Sequence, residues 1–79
     1  MNFVDDFRSQ LNYGDHAVSR DMTIMHDYMK GEIPLEVTLR RIAKNNHMTI
    51  DWKQLTEEVK QDMAEWLGGL GYEQRKRIL

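Results

Sequence analysis

The sequence predicts an all-α fold: a compact small domain of four short helices, bundle-like or orthogonal, with residues 73–79 as a fifth short helix or a frayed basic tail. Three observations predict it. Apolar residues recur at spacings of three and four in four separate segments, the period of one helix face. The single Pro, Pro34, stands where a segment opens rather than inside one. No run of β-branched residues alternates in the way a half-buried strand requires.

The first segment opens at Asn2, a good N-cap residue, and Asp5 and Asp6 place negative charge in the first turn, where the helix dipole favours it. Phe3, Phe7 and Leu11 then repeat every four residues, with Val4 beside them. Gly14 breaks the pattern and Asp15 is the expected cap of the next helix. That second segment, 15–30, carries Val18, Met22, Met25 and Met29 as its stripe, flanked by Ala17 and Tyr28. Lys30 followed by Gly31 reads as a stop: a basic last turn, then a residue free to take positive φ.

Glu32-Ile33-Pro34 opens the third segment, whose inward stripe is Leu35, Leu39 and Ile42, ending at Asn45-Asn46. Residues 47–50 form a short linker. Asp51 with Gln54 three residues on resembles a capping box and starts the fourth segment, which holds the longest stripe: Trp52, Leu55, Val59, Met63, Trp66 and Leu67. Gly68-Gly69 reads as its end and 70–72 as a turn. The expected core is Phe3, Phe7, Leu11, Val18, Met22, Leu39, Ile42, Leu55, Val59 and Trp66.

At 79 residues the chain has room for one small domain and not for a large enclosed active site. With 41% hydrophobic and 30% charged residues it falls in the globular class. Zero Cys removes disulfides, thiolate metal sites and thiol catalysis together. No apolar stretch approaches the length of a membrane span. The acidic start, Asn2 to Asp6, lacks an apolar signal region, so a cytoplasmic location is expected.

The residues that carry chemistry are present but not arranged for it. Of the three histidines, His16, His26 and His47, the first two are ten apart and poorly in phase, and His26 beside Asp27 points about 100° away from it on a helix, so no metal site is expected. The carboxylates read as caps and solvated helix faces, and Ser9 and Ser19 have no base at a recognisable spacing. Gly68-Gly69-Leu70-Gly71 follows no strand and precedes no Lys-Ser/Thr pair, which distinguishes it from a phosphate loop. No enzyme activity and no cofactor are expected.

Charge is segregated along the chain. Residues 1–34 carry −3, 35–50 carry +2, 51–72 carry −3 and 73–79 carry +2, against a net charge of −2. This pattern and the methionines lead to two functional expectations. The first is a non-enzymatic protein-interaction module that regulates or inhibits a larger machine, of a size and charge common in phage and mobile-element genomes. It would contact a protein partner, or a second copy of itself, through Met22, Met25, Met29 and Tyr28 and through the acidic residues Glu57, Glu58 and Asp62.

The second is a helix-turn-helix-like DNA-binding regulator built on residues 35–60. It would use Arg40, Arg41 and Lys44 with Arg75, Lys76 and Arg77 against phosphates. Against it, His47 stands where Gly usually allows the turn. The second helix would also carry Asp51, Glu57, Glu58 and Asp62, which phosphates repel.

Overall fold

Asn2 caps the first helix as expected: its side-chain oxygen accepts from the Asp5 backbone N–H at 2.8 Å, and α1 runs Phe3–Ser9. In the computed structural model, which describes residues 2–78, about three quarters of the residues are helical and no strand is present among them. The all-α class holds. Helix α2 (Asp15–Met29) begins after Gly14, which takes the cap position expected of Asp15. It stops where Gly31 adopts φ 79°. Helix α3 (Leu35–Asn45) follows Pro34, whose fixed φ suits the residue before a helix.

The end of α3 explains the histidine in the linker. The Met48 N–H reaches the Ala43 carbonyl at 2.8 Å and the His47 N–H reaches Lys44 at 3.2 Å, the paired bonds of a Schellman cap. That cap needs one residue in the left-handed region, and His47 takes it at φ 58°. Glycine adopts this conformation without a Cβ penalty. His47→Gly is therefore expected to stabilise the protein by about 1 kcal/mol, raising the melting temperature by roughly 4–8 °C in thermal denaturation. An unchanged or lower midpoint would show that the imidazole makes compensating contacts.

The fourth segment departs from expectation at both ends. Asp51 caps only a 3-10 turn, Trp52–Gln54, by accepting from the Lys53 N–H at 3.2 Å. The chain then extends through Leu55, and α4 (Glu57–Glu65) starts from a second cap, where Thr56 Oγ1 accepts from the Val59 N–H at 3.1 Å. Gly68-Gly69 does not stop the helix. The backbone widens into a π turn over Trp66–Leu70, closed by the Gly71 N–H on the Trp66 carbonyl, and continues as α5 (Gly71–Ile78). The C-terminal segment is thus a helix joined to α4, and Leu79 lies outside the described residues.

Helix α2 is central, packing on α3 and α5, while α1 lies against α4. Of the expected core, Phe7, Leu11, Val18, Leu39, Ile42 and Trp66 are buried, whereas Phe3, Met22, Leu55 and Val59 are half-buried. Met25, Ala43, Met63 and Leu67 complete it. Phe7 meets Trp66 edge-on, ring centroids 6.0 Å apart, which ties α1 to the end of α4.

Candidate functional site

The inward face of α2 keeps Val18 and Met25 of the expected stripe but buries Asp21 rather than Met22, which puts a carboxylate into the core. Asp21 and Arg75 are each 1% exposed and form an ion pair through Arg75 Nη2 and Asp21 Oδ2. Asn45 Nδ2 donates to Asp21 at 2.8 Å and Asn46 Nδ2 donates to both carboxylate oxygens at 3.1 Å. Asn46 Oδ1 accepts from the Asn12 N–H at 2.7 Å, and Arg75 Nη2 also donates to the Asn12 carbonyl at 3.1 Å. The Tyr13 ring lies 4.8 Å from the Arg75 guanidinium carbon.

Burial pushes the Asp21 carboxyl up from its usual range, while the two asparagine amides and Arg75 pull it down. Among the described residues, Arg75 Nε and Nη1 find no hydrogen-bond partner. Charges held this way offset little of their own desolvation. What the cluster supplies is alignment: it fixes α2, the end of α3, the 10–14 loop and α5 in one arrangement. It is closed to solvent and is structural.

That placement corrects two expectations. Arg75 is in the core and bound to a carboxylate, so it cannot contact phosphate as part of a basic patch; Lys76 and Arg77 are exposed. Met25 is 1% exposed and belongs to the core, where burying such a side chain stabilises by about 2 kcal/mol, so it is not a contact residue. Met22 and Tyr28 are half-buried, and Met29 is exposed at 48%. The helix-turn-helix expectation is also corrected. Residues 48–51 are not helical and 52–54 form a 3-10 turn, so no α-helix stands where the start of the recognition helix was expected.

Two of the surface grooves hold expected contact residues and are candidate sites. The first, about 360 Å³, runs between α1 and the α4–π turn. Val4, Trp66 and Leu70 supply its apolar surface, and Leu70 is 62% exposed. Asp5, Asp62 and Glu65 supply its carboxylates, with Arg8 held 3.9 Å from Asp5. Asp62 is the one expected acidic contact residue that lines it. Glu57 and Glu58 are exposed earlier on α4, with Glu57 3.4 Å from Lys60. The methionines of α2 line neither groove.

The second groove, about 400 Å³, lies between α2 and α3 and is lined by Arg20, Ile24, Arg41, Lys44, Asn45 and His47. It brings Arg41 and Lys44 together with a cation from α2 that the sequence had not singled out, while Arg40 turns to Glu36 at 3.0 Å. His16 and His26 are exposed on α2 and line neither groove.

Among the described residues, no helix is long and apolar enough to cross a membrane. No family model, curated protein or solved structure matches the chain.

Proposed function

We propose that this protein is a small, non-enzymatic interaction module that regulates or inhibits a larger protein machine, and that the α1–α4 groove is its contact surface. One observation carries the reading. A large aliphatic side chain, Leu70, stands 62% exposed beside Trp66 and Val4, edged by Asp5, Asp62 and Glu65. Among the described residues Asp62 and Glu65 have no cationic partner. An apolar strip with unpaired carboxylates at its edge complements a basic amphipathic segment, whose apolar face covers Leu70 while its Lys and Arg meet the rim. Rim charges of this kind are screened, so the complex should weaken as salt rises.

The test uses a basic amphipathic helical peptide of alternating Leu and Lys blocks as probe, with the two Trp as intrinsic fluorophores. Wild-type protein is expected to bind it saturably, and Leu70→Glu to lose at least about tenfold in affinity while its circular dichroism is unchanged. In parallel, a pull-down from host lysate is run with nuclease, comparing wild type with Leu70→Glu. A protein retained by wild type and lost in the variant supports the reading. Equal peptide affinity in the two proteins would overturn it.

A further inference from the structure

We propose that the groove between α2 and α3 is a phosphate-binding site, in which Arg20, Arg41 and Lys44 hold the phosphate oxygens of an anionic ligand. The argument begins with which cations are already neutralised. Arg8, Lys30, Arg40, Lys60 and Arg75 each lie within 4.0 Å of a carboxylate. Among the described residues, Arg20, Arg41 and Lys44 do not, and they converge on one groove. No carboxylate lines that groove, whereas the α1–α4 groove holds three. A protein of net charge −2 thus concentrates three uncompensated positive charges in one concavity.

The framework around them is fixed. Arg41 and Lys44 are three residues apart and share a face of α3. Asn45 Nδ2 donates to the Ala17 carbonyl at 3.0 Å and to Asp21, which pins the end of α3 to α2 within one turn of Arg20. One effect opposes an anion here: the negative end of the α3 dipole. The Schellman bonds from His47 and Met48, with the Asn46 N–H, occupy the Ile42, Ala43 and Lys44 carbonyls and reduce that opposition. His47 lines the groove while holding the strained left-handed conformation that a glycine would relieve, a pattern associated with functional positions.

The ligand class follows from charge and shape. Two guanidinium forks and an ammonium match the geometry and multiple charge of phosphate better than a lone carboxylate. Ile24 adds apolar surface against which the carbon skeleton of a phosphorylated ligand can lie. Phosphate of this kind is presented by free phosphorylated compounds and by a nucleic-acid backbone.

The test titrates the 79-residue chain with pyrophosphate, with a single-stranded 12-nucleotide DNA and with poly-glutamate, following backbone amides by NMR at low salt. Saturable shifts are expected at Arg20, Ile24, Arg41, Lys44 and Asn45. The Arg41→Ala/Lys44→Ala variant should bind at least about tenfold more weakly, with its thermal midpoint unchanged. If pyrophosphate and DNA bind equally, the source is a free phosphorylated compound. If DNA binds more tightly, with log K falling about 2 per decade of salt, it is the backbone, since each of three contacts contributes about 0.7. Tighter binding of poly-glutamate than of either phosphate ligand overturns the proposal. So do shifts centred on Lys53 or Lys76, and so does full affinity in the double variant.

Discussion

Asp21→Ala is expected to leave the protein largely unfolded near 37 °C. Arg75 cannot lose its proton, so removing the carboxylate strands a full charge in a position 1% exposed. The amides of Asn45 and Asn46 lose the same acceptor. Breaking one side of a buried pair costs about 3–5 kcal/mol. A chain of this length has only about 4–12 kcal/mol to lose, and small domains sit at the lower end.

The paired replacement Asp21→Leu with Arg75→Met should behave oppositely, because it removes both charges and their desolvation together; it is expected to be neutral or better than Asp21→Ala by several kcal/mol. Urea denaturation at pH 7 checks both. A loss below about 1 kcal/mol for Asp21→Ala would mean that water reaches the pair.

Gly71→Ala is expected to cost about 3 kcal/mol, the upper range for overpacking a fixed site. A Cβ there would fall 2.5 Å from the Trp66 carbonyl oxygen and 2.6 Å from its ring. Both neighbours are held: the carbonyl accepts the Gly71 N–H that closes the π turn, and the indole is clamped by Phe7. Gly68 and Gly69 provide the internal control. A Cβ at either meets nothing within 4 Å, so Gly68→Ala and Gly69→Ala should each stabilise by up to about 1 kcal/mol through helix propensity alone. If all three substitutions had similar effects, close packing at Gly71 would not be the cause.

The glycines also show where local sequence reasoning stops. Asn2 and Gly31 act through bonds and dihedrals within a few residues, so their roles are legible from neighbours alone. Gly68-Gly69 carries the same local signal as a stop and is overridden: two glycines cost only about 1 kcal/mol each within a helix, and Tyr72 beyond them packs against the core. At the other end, Asp51 and Thr56 are both competent caps, and the extended backbone at Leu55 decides which one starts α4.

The buried cluster was partly legible. Asp21 stands three after Val18 and four before Met25, in phase with the core, and that phase is a signal. Its partner 54 residues away leaves no local mark, which is why Arg75 reads as part of a basic tail. The cationic groove is half legible for the same reason: Arg41 and Lys44 are neighbours in sequence, whereas Arg20 joins them only through the packing of α2 on α3.

The π turn changes what a change of chain length means in this helix. Each residue advances an α-helix by about 100°, and a π turn absorbs one residue without passing that advance downstream. Shortening 68–69 by one residue would return an ordinary α turn with Arg75 still facing Asp21. Shortening 72–74 by one would rotate Arg75 away by about 100° and bring its neighbour to the carboxylate. Two deletions that look alike along the chain, a few positions apart, are silent in one place and disruptive in the other.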